Sequence, residues 1–318
     1  MKKVLIFGAS GQIGRHLIRK LTKNNYIVTA ATRNIHQKGY ILRTQANAGY
    51  INIVETNIFE EEKIVNLISK NDICINLIGT LYEKGNGNSF KNIHNVFPSL
   101  ISKISEKHKL QQFIQLSALG IDDAKDSDYA KSKLEGEINV KKNFSKATIL
   151  RPSVVYSADD NFTTTFMKLL SWLPVFPLYY NGNTKFTPIH CSDLTEIIYQ
   201  VILKNINSTT IECIGPEVIS LKNLLKRLLK IINKRRMLIP LPLIIAKISA
   251  MFFQLFPKPI LTLDQLNLLK YDNISSKKYK NNFDIGIPST HVFDVEVEKY
   301  AFMWKEFGQF SIKNSNSN

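Results

Sequence analysis

Tyr129-Ala-Lys-Ser-Lys133 sets a phenol and an ammonium four residues apart, on one face of a predicted helix. The pair alone carries little weight. With 12 tyrosines and abundant lysine, chance supplies about one such spacing in a chain like this. Its position is more telling, because it opens the helix after a predicted strand ending Leu116-Ser117. Ser117 then falls at a strand's carboxyl end. A tyrosine is a poor base at neutral pH, and a nearby cation such as Lys133 lowers its pKa. Bringing an ordinary phenol to pH 7 takes about 4 kcal/mol. Ser117 would hydrogen-bond a substrate oxygen while Tyr129 transfers its proton. The plainer alternative is a half-exposed helix pair, with Ser117 as a helix cap.

Gly8-Ala9-Ser10-Gly11-Gln12-Ile13-Gly14 follows the first apolar run and opens the first helical pattern. Glycines there permit a tight turn and close backbone approach to a pyrophosphate, which the helix N-terminus stabilises. That context points to a dinucleotide. The second strand ends Ala31-Thr32-Arg33-Asn34. An NAD enzyme usually places a carboxylate here, on the ribose 2′-hydroxyl; a guanidinium suits a 2′-phosphate instead. NADP(H) is therefore favoured, with Arg15 as a second candidate contact and NAD(H) still possible. Arg33 as a solvated strand-end residue is the alternative.

These residues need a frame. Apolar runs at 4–7, 27–31, 51–54, 73–78, 113–116 and 148–150 read as buried parallel strands. Helical patterns lie between them, at 12–23, 60–70, 93–108 and 129–143. The alternation predicts an α/β, Rossmann-like doubly wound parallel sheet over residues 1–156, with ligands at the carboxyl ends of its strands. Beyond it, helical patterns at 162–172, 192–203, 220–233, 243–256 and 262–270, and one strand at 210–214, predict a smaller, mostly helical lobe. It spans 157–310 and interleaves with the sheet; a polar tail at 311–318 reads as disordered.

At 318 residues, 44% hydrophobic and 21% charged, the chain is globular in composition. Three scattered cysteines and six dispersed histidines give no disulfide framework and no metal-ligand spacing, so no metal is expected and the compartment reads as cytosolic. The net charge of +16 divides evenly, +9 over residues 1–150 and +7 over the rest. That evenness argues against a nucleic-acid partner. Lys2 and Lys3 ahead of Val4–Phe7 resemble a signal peptide only superficially, since the apolar run is too short.

One stretch stands out. From 218 to 263 there is no acid. Leu221, Leu224, Leu225, Leu228 and Ile232 recur at helical spacing opposite Lys222, Lys226 and Lys230. Lys234, Arg235 and Arg236 then precede an apolar run, 237–256. A basic amphipathic helix followed by an apolar segment predicts peripheral membrane contact through about 221–257. Pro240, Pro242 and Lys247 argue against a full span. Packing as the lobe's own core is the alternative.

The glycine loop with Ser117, Tyr129 and Lys133 resembles extended and atypical short-chain dehydrogenase/reductases. The resemblance implies further cofactor contacts. Asn57, with Ile58 beside it, takes the place of an acid near the adenine. Asn76-Leu77-Ile78-Gly79 resembles the fourth-strand motif at the ribose, Asn95 the fourth-helix asparagine near the active site, and Arg151-Pro152-Ser-Val-Val155-Tyr156 the nicotinamide segment, with Ser157 replacing a glycine. The Asn76–Gly79 and Leu150–Tyr156 segments, Asp159-Asp160-Asn-Phe162, Pro188-Ile-His-Cys-Ser-Asp193 and Ile239-Pro-Leu-Pro242 resemble, more narrowly, the nucleotide-binding accessory subunits of respiratory complex I and their bacterial relatives. That likeness implies tight NADPH binding and a place on the cytoplasmic face of the inner membrane, near ubiquinone chemistry. A hydrophobic, quinone-like substrate and a complex I partner follow as expectations. A non-catalytic structural or assembly subunit, and a nucleotide-sugar epimerase or dehydratase, are the alternatives.

Overall fold

The computed structural model describes residues 1–83, 85, 87–254, 256, 259–305 and 308. In the N-terminal half, β1 (Lys3–Phe7), α1 (Gln12–Lys23), β2 (Ile27–Thr32), α2 (Ile35–Arg43), β3 (Ile51–Glu55), α3 (Glu61–Ser69) and β4 (Ile73–Asn76) alternate. A π-helical turn (Lys91–Val96) leads into α4 (Phe97–Lys107), followed by β5 (Gln112–Leu116), α5 (Asp128–Asn143) and β6 (Thr148–Pro152). The remainder holds β7 (Val155–Tyr156), α6 (Thr163–Trp172), β8 (Val175–Leu178), β9 (Lys185–Phe186), β10 (Ile189–His190) and α7 (Cys191–Leu203). Then come β11 (Thr209–Cys213), β12 (Ile219–Ser220), α8 (Leu221–Ile231), β13 (Met237–Pro240), α9 (Leu243–Phe253), α10 (Leu263–Leu268), β14 (Lys280–Asn281) and α11 (Phe293–Glu298).

Eight parallel strands form the main sheet in the order β14-β11-β6-β5-β4-β1-β2-β3. Alternation along β1 shows why it is buried on both faces. Val4 and Ile6 pack with Leu17, Ile18 and Leu21 of α1 and the apolar face of α7. Leu5 and Phe7 face the other way, onto α3, α4 and the end of α5. The chain winds outward in both directions from β1 and β4, which pair in register (Phe7 opposite Asn76). That reversal opens a crevice at the strands' carboxyl ends. The loop 8–14 lies there.

The predicted strands and helices of this half are present to within a few residues. In this half α2 escaped prediction, its short apolar pattern broken by Gly39; farther along the chain so did the two-residue edge strand β14 and helix α11. The helix predicted over 93–108 begins with the π turn. Pro98 has no N–H to offer the His94 carbonyl, which loosens the turn. A Cβ at Gly136 of α5 would collide with that same carbonyl.

The lobe has its own core: Met167 and Leu170 of α6, Leu224, Leu225 and Leu228 of α8, and Phe293 and Val297 of α11. It carries more strand than expected, in two-residue to four-residue ribbons β7–β10, β9–β12 and β8–β13. The tail over 311–318 lies outside the described residues.

A nucleotide-binding cradle and a candidate active site

Gly8 turns the chain out of β1 at φ +81°, and a Cβ there would stand 3.1 Å from the Leu77 carbonyl carbon. Gly11 caps α1 without a side chain and no acid occupies the helix's first turn, so a positive dipole end faces the crevice. Gly14 brings α1 against β1: a Cβ would come within 2.7 Å of Ala9 Cα. Backbone approach, an uncovered helix end and close helix–strand packing are what a pyrophosphate requires, and these residues fit a dinucleotide.

The flank of this loop is heavily bonded. Gln12 Nε2 donates to Ser157 Oγ (2.8 Å), which donates to Asp159 Oδ1 (2.7 Å). Ser157, where a glycine was expected, thus ties the lobe's first loop to α1. Arg15 pairs with Asp159 and donates to Ser10 O at 2.5 Å. Arg15, the second candidate for a 2′-phosphate, has its guanidinium engaged within the protein. Thr32 Oγ1 reaches Ser10 Oγ at 3.4 Å. Arg33 is exposed at the end of β2, with Nη1 donating to Asn88 Oδ1 at 3.2 Å. Asn57 accepts from Phe59 N (2.8 Å) in a local turn, and Ile58 packs at the rim of the core.

Beside the cradle, Asn76 bonds Gln115 (2.9 Å) and accepts from Ile78 N (3.1 Å), shaping the Leu77-Ile78-Gly79 turn. Gly79 leaves room for Lys133, whose Nζ would be 3.3 Å from a Cβ there. Lys133 is 6% exposed, donates to Leu116 O (3.3 Å) and stands 6.0 Å from the Tyr129 ring centre. Ser117 is buried at the end of β5, and its Oγ has no hydrogen-bond partner among the described residues. Pro152 closes β6 by accepting from Leu119 N (2.9 Å), and Val155 pairs with Ile189. Arg151, just before Pro152, is buried against Glu137 (2.8 Å) and Asp122 (2.6 Å), a structural anchor.

Two expectations fail. Burial, reinforced by the Asp264 carboxylate, pushes the Tyr129 phenol above its ordinary value, opposite to the lowering expected from Lys133. Lys133 itself is pushed down to about 8 by burial, against the pull of Glu137. Asn95 turns away from the tyrosine and bonds Glu135 (2.9 Å) and Asn139 (2.6 Å).

Its neighbour His94 occupies the site instead. Nε2 accepts from Thr80 N (3.1 Å), so Nδ1 carries the proton and donates to Ser132 Oγ (2.9 Å), which donates to Tyr129 O (2.7 Å). The ring meets Tyr129 edge-on at 5.2 Å. Burial, with the Lys133 charge, holds its pKa at about 2 and the ring neutral. Nothing in the sequence distinguished His94 from Asn95; the π turn decides which faces the site. Asp264 also escaped notice, because its partners lie some 135 residues away. Spacing likewise missed the gathering of His190, His291 and Glu296, whose ligand-type atoms lie within 4.8 Å of one another. Each has a partner already: Ser192 N, Asp193 and Lys299 respectively.

A cavity of about 920 Å³ opens beside the first turn of α5. Glu83, Asp126, Asp128, Glu135 and Asp264 line it against Lys91 and Lys131, with Tyr82, Phe90 and Phe256 among its apolar walls. The cysteines are buried and free, Cys74 pushed up to about 12 by burial.

α8 and α9 divide the acid-free stretch. The expected α8 leucines are buried in the lobe core, with Lys222, Lys226 and Lys230 outside. α9 buries only Ala246 and Ala250, leaving Leu243, Ile244, Ile245, Ile248, Met251 and Phe252 exposed. No helix among the described residues is long and apolar enough to cross a membrane.

Among solved structures, the UDP-glucuronic acid 4-epimerase of Bacillus cereus, in complex with UDP-glucuronic acid and NAD, shares the fold. Its TM-score is 0.70 at 20% identity, over 94% of this chain and 98% of that one. A dTDP-glucose 4,6-dehydratase of Bacillus anthracis in complex with NAD gives 0.71 at 12%, over 96% of each chain. A profile described as the RmlD substrate binding domain matches residues 124–217. The mitochondrial 40 kDa subunit of NADH-ubiquinone oxidoreductase from Neurospora crassa is 26% identical over 285 residues, 89% of this chain and 74% of the relative. Subunit 9 of the NADH dehydrogenase [ubiquinone] 1 alpha subcomplex from Arabidopsis thaliana is 26% identical over 283 residues, 85% and 70%. With the profile described as NAD(P)H-binding matching residues 8–168, the chain belongs to that family, in an epimerase/dehydratase-like fold, and counts these respiratory complex I subunits among its homologues.

Proposed function

We propose that this protein binds NADP(H) and works at a membrane surface beside respiratory complex I, reducing a hydrophobic carbonyl, quinone-like in character. The observation that carries the chemistry is the convergence of Lys133 Nζ, the unpartnered Ser117 hydroxyl and Tyr129 at the carboxyl ends of β4 and β5. When bound, the nicotinamide supplies or accepts hydride; the chain does the rest. Ser117 Oγ offers a hydrogen bond to the substrate oxygen. Tyr129 stays protonated at neutral pH, so it acts as the acid that delivers a proton to that oxygen, and reduction is the favoured direction. The Lys133 ammonium stabilises the phenolate left behind.

Arg33, exposed at the end of β2, supports the 2′-phosphate and hence NADP(H) over NAD(H). The α9 face, with exposed Lys247 on the same helix and Arg235 just before β13, supports docking on an anionic bilayer from the cytoplasmic side. The exposed apolar face of α9 favours a hydrophobic substrate over an anionic nucleotide sugar, despite the shared epimerase fold.

The deciding experiment follows NADPH fluorescence with the purified protein and a membrane lipid extract, beside Tyr129→Phe. A rise followed by decay in the wild type only is the expected result. Decay that persists in Tyr129→Phe sinks the chemistry. A stable rise in both supports a second reading, a non-catalytic subunit using NADPH as a structural element. The lowered Lys133 favours that reading, because burial resists the ammonium that catalysis uses.

A further inference from the structure

We propose that Asp264, carried by the C-terminal lobe, is the positioning residue for Tyr129: its carboxylate fastens the first turn of α5 and fixes where the phenol is presented. The inference rests on the reading of Tyr129 as the site's acid.

Helix α5 begins with three N–H groups that have no intrahelical acceptor. Ser127 Oγ takes one, from Ala130 (3.2 Å). Asp264 takes the other two: Oδ1 accepts from Asp128 N (2.7 Å) and Oδ2 from Tyr129 N (3.3 Å). Oδ2 also accepts from Ser127 Oγ (2.9 Å), so the local cap is itself oriented by the lobe. A helix whose first turn carries an active-site side chain has thus given the completion of its cap to a residue 135 positions away.

The contact is one of a row. Asn267 Nδ2 donates to Asp126 O (3.1 Å), and Lys270 pairs with Asp126. Residues 264, 267 and 270, three apart, present one edge of α10 and its exit to the segment 126–129. Behind them, Leu268 and Tyr271 pack with Ile121, Ala124, Ala130 and Tyr129. On its other side, Leu266 of α10 packs on Ala246 and Ala250 of α9. The cap therefore exists only while the α9–α10 pair is seated on the sheet domain.

The charge matters besides the geometry. Tyr129 is faced by Asp264 from α10, by Lys133 of its own helix, and by His94, which is neutral. Asp264 is the charge that adds to burial in keeping the phenol protonated. Removing it lowers the phenol's proton affinity; removing its oxygens also frees the turn.

The test uses the full chain labelled with [13Cζ]-tyrosine, with Tyr129→Phe identifying the resonance. In the wild type, Tyr129 stays protonated to the alkaline limit of the folded state. In Asp264→Asn, which keeps an acceptor oxygen, the resonance holds its neutral-pH position but begins to ionise within that range. In Asp264→Ala it also moves at neutral pH, and kcat falls on the order of 10²-fold with KM nearly unchanged. The NADPH Kd stays within about twofold in both variants, since the cradle is remote from α10. A Tyr129 resonance and alkaline titration unchanged in both variants overturns the proposal. So does an NADPH affinity that falls with kcat, which marks a general scaffold role. If Asp264→Ala fails to fold, Asp264→Asn carries the test. Should Tyr129→Phe retain turnover, the active-site reading fails, and the resonance alone decides whether Asp264 positions the ring.

Discussion

Helices α8 and α9 follow one another in an acid-free stretch and are both rich in large aliphatic residues, yet they play opposite parts. α8 is one-sided in sequence, leucines on one face and lysines on the other, and it buries that face. α9 is apolar nearly all round, so pattern alone cannot choose its buried side. Packing chooses it by size. Ala246 and Ala250, one turn apart, let α9 approach α10 closely, and the large side chains are turned outward. Ile244 is 74% exposed. A helix can therefore be more hydrophobic than its neighbour and contribute less to the core. What it offers is a surface.

The largest expected effect separates the two directly. Leu225→Ala in α8 leaves a cavity in the lobe core and should cost about 2–5 kcal/mol, read from the denaturant midpoint. Ile248→Ser in α9 should change stability by no more than about 0.5 kcal/mol while reducing retention on anionic vesicles. Equal losses of stability would erase the distinction. Next in size is the reverse substitution, Ala250→Leu. It adds bulk where α9 meets α10 and should destabilise by about 1–3 kcal/mol, although the residue becomes more hydrophobic. A neutral or stabilising result would mean that α9 is loosely seated.

The same contrast between engaged and available side chains runs through the cofactor cradle. Arg33 is the first candidate for a phosphate and Arg15 the second. Arg15 is pinned by Asp159 and Ser10, whereas Arg33 has, among the described residues, one bond of 3.2 Å at the surface. Arg33→Ala should weaken NADPH binding by about 1.5–3 kcal/mol and leave NADH nearly untouched. Arg15→Ala should affect both cofactors alike, through the loop it holds. Titration by fluorescence with each nucleotide checks both. Preferential loss of NADPH in Arg15→Ala would reverse the assignment.

Much of this fold is legible because period-2 and period-3.6 patterns are local. β1, β5, β6 and α5 lie within two residues of where their sequences put them. The glycine loop is legible for the same reason, since strand, turn and helix are contiguous. What stayed hidden depends on contacts made after folding. The π turn that swings His94 inward and Asn95 outward needs Pro98 and the close approach of Gly136 together. Asp264 acquires its role only when α10 docks on α5. Ser157, a departure from the expected glycine, gained a bond to Gln12 that no spacing rule announces. The effect of burial on Tyr129 and Lys133 is equally tertiary. Their pairing could be read from the sequence, but the sign of the tyrosine shift could not.

Lys133 gives the smallest and most specific prediction. Its ammonium is buried and titrates at about 8 in the folded protein, while an unfolded lysine holds its proton to about 10.4. Between those values the unfolded state binds more protons, so this group makes stability rise with pH, by at most about 1.4 kcal/mol per pH unit. The sign is opposite for activity, because the same deprotonation removes the cation that stabilises the Tyr129 phenolate. Turnover should fall as pH climbs through about 8, over the range where the fold grows firmer. Lys133→Met should flatten the stability slope and abolish turnover together. A variant that flattens the slope and spares turnover would separate the buried charge from the chemistry, and would place Lys133 with α8 as structure, not with α9 and Arg33 as available function.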